Sequence, residues 1–237
     1  MAFPASPATY LTLALVTLPI ASAASGDRVE IDGFAIERTE VSVSDFAAFA
    51  DGRKLKTAAE KAGGGHEWGS GWERRHGWTF RTPFGKPSED AAEPAVHVSW
   101  QEARDYCASV GGRLPSRSEW ERAAYREYGS GKKAGFAIGR VYPYPTGETP
   151  DGANTIAGDP WPRHAPASVT RAGINGLYDM GGNVWEWIAE RDGEDALTAG
   201  GSWWYGPDKM RKEAMQWKRA DFYVAYIGFR CAYELKS

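Results

Sequence analysis

Apolar residues recur at helical spacing in two short segments of the chain, and the same polar signal precedes each of them. The first stripe is Ala103, Tyr106, Cys107 and Val110, and the second is Trp120, Ala123 and Ala124. Ser99 precedes the first stripe and Ser116 the second, and each serine is followed three residues later by Glu102 or Glu119. A serine and a glutamate at this spacing form a capping box, in which both side chains bind free amides of the first helical turn. The pattern therefore predicts two capped helices, the first of which ends at Gly111-Gly112.

Alternating or continuous apolar positions predict short strands elsewhere in the chain. The predicted strand regions are 27–40 (a strand pair or an edge strand), 96–100, 198–205 and 225–233. A short helix follows the first region, with Phe46 and Phe49 on one face and with Ser42 or Ser44 as the N-cap. Residues 52–95 and 129–171 show no clear periodicity and are predicted to be long ordered loops.

The composition agrees with a loop-rich fold of one domain. The chain has 237 residues, a net charge of −3, 28 glycines and 11 tryptophans. Glycine at this level disfavours long helices and strands, and large indoles can supply the apolar area that regular elements would otherwise provide. Because the chain is slightly acidic and has no basic tract, it is a poor candidate for binding nucleic acid or an anionic membrane surface.

The first residues have the pattern of an export signal. An apolar run from Tyr10 to Ile20 is followed by Ala21-Ser22-Ala23, and the run is too short to span a membrane. The pattern predicts a signal peptide over residues 1–23, one mature domain over 24–237, and a periplasmic or secreted location. The alternative is a retained segment on a cytosolic protein, since no lysine or arginine precedes the apolar run.

Cysteine and histidine usage restricts the possible chemistry. The chain has two cysteines, Cys107 and Cys231, which an oxidising compartment would let pair; the alternative is two buried thiols far apart. The four histidines are His66, His76, His97 and His164. No two of them have the spacing of a metal-binding pair on one helical face. The sequence also contains no G-x-S-x-G nucleophile elbow and no phosphate-binding P-loop.

A glycine-rich stretch from Gly176 to Ile188 contains the strongest candidate for a ligand site. Asp179 and Glu186 supply carboxylate oxygens near its two ends, and the glycines between them let the backbone curl and turn carbonyls inward. Such oxygens suit a hard cation such as Ca2+. The alternative is a glycine-rich turn with core tryptophans, because Trp185 and Trp187 would face one side of an extended segment.

Five motifs of this chain resemble those of the formylglycine-generating enzyme (sulfatase-modifying factor) family, in the order of the family. They are V-H-V-S-W-Q-E-A-R-D-Y-C at 96–107, G-R-L-P-S-R-S-E-W-E at 112–121, G-L-Y-D-M-G-G-N-V-W-E-W at 176–187, G-G-S-W at 200–203 and G-F-R-C at 228–231. The resemblance covers nearly all of the mature chain. It implies an α+β fold, the family's variant of the C-type-lectin fold, which is loop-rich with low regular secondary structure and binds calcium.

Carried over by position, the resemblance implies two structural Ca2+ ions and one disulfide. The residues concerned are Asp179, Glu186 and the carbonyls of Gly182 and Val184 for the first ion; Asn154, Asp159 and the carbonyls of Thr155 and Trp161 for the second; and Cys107 with Cys231 for the disulfide. The loop from Asn154 to Asp159 is shorter than in typical members, which is one departure from the family pattern.

A second departure affects the activity. Members that convert a sulfatase cysteine to formylglycine carry two cysteines just after the G-G-S strand, five positions apart, which bind copper and activate oxygen. Those positions hold Tyr205 and Met210 here. Because Cu(I) needs soft thiolate ligands, the chain is expected to bind no copper and to generate no formylglycine. The H-x-x-x-H-x-E iron motif of the sister branch that makes sulfur–histidine compounds is absent as well.

Two functions remain compatible with these features. The first is a calcium-stabilised module that binds an extended peptide or a protein in the groove beside the lost cysteines, whose rim is aromatic and basic. The candidate groove residues are Trp203, Trp204, Tyr205, Met210, Arg211, Trp217 and Arg219. One of Trp203 and Trp204 is expected in the core, because neighbours in a strand point to opposite faces.

The second function is a periplasmic tailoring or maturation enzyme, oxidoreductase-like, with altered active-site chemistry. Its polar candidates are His97, His164, Tyr205 and Glu213, which no sequence spacing brings together. The sequence therefore assigns no catalytic residue.

Overall fold

The computed structural model describes residues 27–129, 135–156 and 159–235. Within them the α-helices are α1 (Val43–Gly52), α2 (Ala58–Lys61), α3 (Trp100–Ser109) and α4 (Arg117–Tyr125). The strands are β1 (Arg28–Glu30), β2 (Phe34–Glu37), β3 (His66–Trp68), β4 (Trp72–Arg74), β5 (Trp185–Asp192), β6 (Asp195–Ala199), β7 (Gln216–Arg219), β8 (Ile227–Phe229) and β9 (Ala232–Glu234). Short 3-10 helices lie at Ile174–Gly176, Pro207–Met210 and Lys212–Ala214. The predicted signal peptide, residues 1–23, lies outside the described residues.

The strands form three small sheets. One sheet has the order β1-β2-β9, one is the β3-β4 hairpin, and the largest has the order β7-β6-β5-β8. Strand β8 runs parallel to β5, whereas the other neighbours are antiparallel. Short strands and short helices joined by long loops give the α+β, loop-rich fold that the resemblance implied.

The helix starts follow the predicted capping chemistry. The carboxylate of Glu102 accepts a hydrogen bond from the Ser99 amide at 2.9 Å, and Glu119 accepts one from the Ser116 amide at 2.9 Å. Both boxes are reciprocal, since each serine side chain also accepts from the amide of its glutamate. Helix α1 is capped by Ser42, which decides between the two serines proposed for it. Helix starts are predictable because these bonds join residues three apart.

The predictions for the connecting segments were partly wrong. The segment 52–95, predicted as loop, contains α2 and the β3–β4 hairpin; α2 begins with a third capping box, Thr57 with Glu60. The predicted strand at 96–100 forms no ladder and leads directly into α3. The apolar pattern of residues 96–100 reflects burial by tertiary packing and not pairing with a neighbouring strand.

The two predicted C-terminal strands are also shorter than expected. Strand β6 ends at Ala199, because Gly200 and Gly201 take positive φ angles of 95° and 77° and turn the chain away from the sheet. Residues 225–233 form two strands, β8 and β9, and between them the side chain of Arg230 enters the core.

The core is largely aromatic and is bridged by a disulfide. Trp185 and Trp187 of β5 lie in one buried cluster, as expected for residues on one side of an extended segment. Cys107 of α3 is bonded to Cys231, with 5.5 Å between their Cα atoms and a sequence separation of 124. A bridge that closes so long a loop contributes roughly 4–5 kcal/mol in the chain-entropy model. Among the residues that the structure describes, no helix has the length and apolar character needed to cross a membrane.

Candidate functional site

The glycine-rich stretch curls tightly before it enters β5. Asp179 and Asn183 have positive φ angles of 59° and 50°, which aspartate and asparagine tolerate better than most residues. Gly182 has a φ of 82°, and a Cβ atom there would collide with the carbonyl of Asn154. The curl therefore requires glycine at 182, and it carries Glu186 into the buried interior.

Glu186 is held by a buried arginine. Arg230 is fully buried and donates to Glu186 Oε1 from Nη2 at 2.6 Å and to Oε2 from Nε at 2.9 Å. The indole Nε1 of Trp120 donates to Oε2 at 2.8 Å. The other donors of Arg230 bind backbone carbonyls, Nη1 those of Glu37 and Arg38 and Nη2 that of Tyr178. This carboxylate is thus fully engaged by protein donors.

Two further buried carboxylates surround the same guanidinium. Thr170 donates to Asp179 Oδ1 at 2.6 Å, while Oδ2 of Asp179 is buried without a partner among the described residues. Burial raises the pKa of Asp179 to about 6, although the Thr170 hydrogen bond and the charge of Arg230 oppose the rise. Burial, and then the neighbouring Asp179, raise the pKa of Glu40 well above its ordinary value. One guanidinium therefore faces three carboxylates, an excess of negative charge that a cation would offset.

The Asp179 end of the stretch has a free carboxylate oxygen, whereas the carboxylate at the Glu186 end is bound by Arg230. A cavity of about 10 Å³ borders Asp179, close to the volume that one small occupant requires. A free carboxylate oxygen is the hard ligand that Ca2+ prefers. Among the described residues no three acidic, histidine or cysteine side chains are grouped to hold a metal. An ion at Asp179 would therefore depend on backbone carbonyls, as predicted for Gly182 and Val184.

The second predicted calcium site has a different arrangement. Asp159 accepts the backbone amides of Thr155 at 2.8 Å and Trp161 at 2.9 Å. The Nδ2 of Asn154 donates to the Arg163 carbonyl, and its Oδ1 is buried without a partner among the described residues. Because residues 157 and 158 of this loop lie outside the described part of the chain, the second ion stays a prediction.

The two positions of the lost cysteine pair have become packing positions. Met210 is fully buried, and a Cβ atom at Gly181 would lie 2.8 Å from its Cε. The ring of Tyr205 lies 5.7 Å from that of Trp185 and 5.9 Å from that of Tyr226. Neither side chain is a thiolate, and both cysteines of the sequence are in the disulfide.

The structure places the predicted groove residues in different environments, and two of them are buried and do not form a rim. Trp203 and Met210 are buried, so Trp203 is the core member of the Trp203–Trp204 pair. Arg211 stacks on the ring of Tyr144, with 4.3 Å to its centroid. Trp217 is exposed on β7, and Arg219 borders a separate cavity. The Gly200–Gly201 turn and two 3-10 helices wind this segment, so its side chains point in several directions.

A cavity of about 630 Å³ lies elsewhere, between two proline-rich segments. Its lining includes Phe84, Glu93, Trp161, Arg163 and His164. His164 Nε2 lies 3.0 Å from Glu93 Oε2, and the other ring nitrogen is buried without a partner among the described residues. Although burial tends to raise the pKa of Glu93, the hydrogen bond and charge of His164 lower it below the ordinary value. Sequence reasoning missed Glu93, because it lies 71 residues from His164.

The structure separates the other polar candidates. The ring Nε2 of His97 lies 2.8 Å from the Pro83 carbonyl in the core, and burial lowers the pKa of His97 to about 4. Glu213 is exposed, and Tyr205 packs against Trp185. Of these candidates, only His164 borders the large cavity.

A further feature is a run of contacting aromatic rings, here called the aromatic ribbon, which comprises Trp68, Trp72, Phe222, Tyr226 and Tyr205. Tyr226 is buried, so the ribbon is exposed mainly at its hairpin end. Trp68 and Trp72 are paired directly across the β3–β4 hairpin, and their ring centroids are 5.2 Å apart. Trp72 lies 5.1 Å from Phe222 and 6.3 Å from Tyr226, and Tyr226 contacts Tyr205. Trp68 and Trp72 remain 43% and 45% exposed. The ribbon therefore joins an exposed hairpin to one position of the lost cysteine pair.

The sequence of the chain is similar to the sequences of known proteins. A family model described as the sulfatase-modifying factor enzyme 1-like domain matches residues 16–235. The chain is 30% identical to the inactive C-alpha-formylglycine-generating enzyme 2 of Bos taurus, over 86% of this chain and 78% of that protein. It is 28% identical to the formylglycine-generating enzyme of Mus musculus, over 86% of this chain and 67% of that protein.

The fold is also found in a solved structure. PvdO from Pseudomonas aeruginosa superimposes with a TM-score of 0.61 and 24% sequence identity, covering 85% of this chain and 80% of that one. This likeness supports the fold, and the family model supports the assignment of the sequence. The chain therefore belongs to the sulfatase-modifying factor (formylglycine-generating enzyme-like) family.

Proposed function

We propose that this chain is an exported member of the family that binds an extended peptide or a protein partner and does not generate formylglycine. The observation that carries the proposal is what occupies the two positions at which catalytic members of the family have cysteines. Tyr205 packs between Trp185 and Tyr226, and Met210 is buried against Gly181. A phenol and a buried thioether cannot replace two thiolates as copper ligands. The similarity to a relative named inactive supports the same conclusion.

Calcium belongs to this proposal as a structural ion. Asp179 would hold it with the carbonyls of Gly182 and Val184, while Glu186 remains bound to Arg230. The unpartnered Oδ2 of Asp179 and the excess of buried carboxylates support the ion at this place. Its chemistry there is neutralisation of charge, which stabilises the curl that leads into β5.

A cysteine-oxidation assay tests the inactive half of the proposal. The probe is a sulfatase-derived cysteine peptide that the Mus musculus enzyme converts, and that enzyme is the positive control. With copper and oxygen supplied, the peptide is expected to keep its mass in the presence of this chain. Conversion of the peptide would contradict the proposal.

Selection of peptides tests the binding half. A phage library of random dodecamers is panned on the purified chain, and enriched sequences are synthesised and measured by calorimetry. Enrichment of sequences that bind the folded chain and not the urea-unfolded chain is expected. A library that yields no such sequence would contradict peptide binding.

A second candidate function is acid–base catalysis on a small molecule in the 630 Å³ cavity. The observation that favours it is the Glu93–His164 pair, because a carboxylate that orients an imidazole is the usual arrangement of a general base. Arg163 borders the same cavity, and its guanidinium stacks on the ring of Phe84 at 3.9 Å, which places a positive charge at the cavity wall. If this function holds, a small molecule of a periplasmic extract is consumed by the wild-type chain and not by Glu93→Gln. An extract left unchanged by both proteins would favour the binding function.

A further inference from the structure

The exposed end of the aromatic ribbon is large and apolar. Trp68 and Trp72 sit on strands of three residues joined by a turn, in which the Gly69 amide donates to the Gly71 carbonyl at 2.9 Å. Trp72 is in contact with Phe222 and Tyr226, whereas about half of each hairpin indole faces solvent. Clustered exposed aromatic rings of this kind are enriched at binding hot spots.

The inner end of the ribbon lies beside a lysine. Strand β7 alternates, so that Trp217 and Arg219 are exposed while Gln216 and Lys218 are half-buried. The Lys218 ammonium lies 4.8 Å from the centroid of Trp185, the ring that also contacts Tyr205. Lys218 therefore adjoins the inner end of the ribbon through the buried Trp185, which is not itself part of the ribbon.

Lys218 lacks a counter-ion, in contrast to the neighbouring cations. Its ammonium donates to Gln216 Oε1 at 2.6 Å, and no described carboxylate lies within ion-pair distance of it. Lys209 pairs with Asp208, and Arg219 with Glu194 and Asp221. Burial and the nearby Lys209 lower the pKa of Lys218 to about 8, as expected for a cation without a partner.

We propose that the aromatic ribbon and Lys218 together bind an extended peptide segment that places a carboxylate side chain on Lys218 and an aromatic or large aliphatic side chain on Trp72 and Trp68. Charge complementarity assigns the acidic residue to the inner end, where the cation is unpaired. Apolar contact assigns the second residue to the hairpin, where indole area is exposed. This inference rests on the proposed peptide binding and adds the class of peptide and its orientation.

The peptides enriched from the dodecamer library test the inference. They are expected to contain an aspartate or glutamate together with an aromatic residue or leucine. An enriched acidic peptide and its Asp→Asn (or Glu→Gln) counterpart are then measured against the wild-type chain and Lys218→Met. Loss of either partner should weaken binding roughly tenfold, and loss of both should add little, because they share one ion pair.

Two aromatic variants test the outer end. Trp72→Ala is expected to weaken peptide binding roughly tenfold. If Trp72→Ala fails to fold, Trp68→Ala, at the edge of the hairpin, is measured in its place. Trp217→Ala is the matched control, since Trp217 is 48% exposed but lies on the outward face of β7. Lys212→Met is the matched control for Lys218, and both controls should leave the affinity unchanged.

The outcomes of these binding experiments distinguish a failure of this inference from a failure of the proposed peptide binding on which it rests. Enriched peptides without acidic residues, bound equally by wild type and Lys218→Met, would overturn the inference and leave peptide binding intact. An absence of enriched peptides would contradict both. If no peptide binds and the hairpin tryptophans instead bind phosphatidylcholine vesicles, the ribbon is a lipid contact and the inference is wrong.

Discussion

Arg230 and Lys218 are basic side chains that pack against neighbouring residues of strand β5, but their partners differ. Arg230 is fully buried and contacts Glu186 and three backbone carbonyls. Lys218 contacts the Trp185 ring and one amide oxygen, without a carboxylate among the described residues. Successive residues of a strand point to opposite faces. One face of β5 is therefore a closed polar core, whereas on the other face the buried Trp185 ring contacts the half-buried Lys218.

The comparison indicates that residues which stabilise the fold and residues which we propose to bind a ligand lie on different faces of β5. A buried ion pair stabilises only while both partners remain, because each charge has lost its water. Lys218 beside the buried Trp185 ring is already partly desolvated, and no described residue supplies its anion. We therefore expect substitutions on the Glu186 face to change folding and substitutions on the Trp185 face to change binding.

The largest effect is expected from Arg230→Met. Removal of the guanidinium leaves Glu186 buried without its countercharge, so the free energy of unfolding should fall by about 3–5 kcal/mol. Urea denaturation at neutral pH measures the change. Lys218→Met is the matched control and should change stability far less. Equal losses of unfolding free energy in Arg230→Met and Lys218→Met would contradict the proposed difference between the two faces of β5.

Calcium is expected to have the next largest effect. Ca2+ at one hundred times its Kd should raise the free energy of unfolding by about 3 kcal/mol, since it binds the folded chain alone. Thermal melts with calcium and with a chelator measure this change, with Mg2+ as the ionic control. Asp179→Asn should abolish the response, whereas Asp192→Asn, an exposed carboxylate of β5, should keep it. A calcium response that survives in Asp179→Asn would place the ion elsewhere.

The pH dependence of stability should reveal the buried His97. Its pKa is lowered to about 4 in the folded chain, mainly by burial, whereas an unfolded histidine titrates near 6.5. The unfolded state therefore binds more protons between these values, and stability is lost as the pH falls through this window. The loss between pH 7.5 and 5 should be roughly 2 kcal/mol. The slope of stability against pH in His97→Gln should be flatter; an unchanged slope would assign the dependence to other groups.

The smallest change in stability is expected at the hairpin. Trp68→Ala removes an indole that is 43% exposed, so the free energy of unfolding should change by less than about 1 kcal/mol. Peptide affinity should nevertheless fall, which separates the hairpin from the core. A large loss of stability would show that the ribbon is a structural element.

Much of the local structure could be predicted from the sequence. Ser99 with Glu102 and Ser116 with Glu119 form their capping boxes as predicted, because the bonded groups are three residues apart. The turn at Gly182 was also predictable, since glycine readily adopts the positive φ of 82° found there. The strand predicted over 198–205 was right only for Thr198 and Ala199, because the chain leaves the sheet at Gly200 and Gly201, where φ is positive.

By itself, the sequence determined the family, the α+β class and the helix starts, because each depends on residue identity or on short spacing. The tertiary structure alone decided the rest. It paired Arg230 with Glu186 across 44 residues and His164 with Glu93 across 71. It also buried Trp203 and Met210 of the predicted groove and brought the rings of the aromatic ribbon together. Contacts between residues far apart in sequence depend on the fold of the whole chain. A local pattern of apolar and polar positions does not specify which distant residues meet.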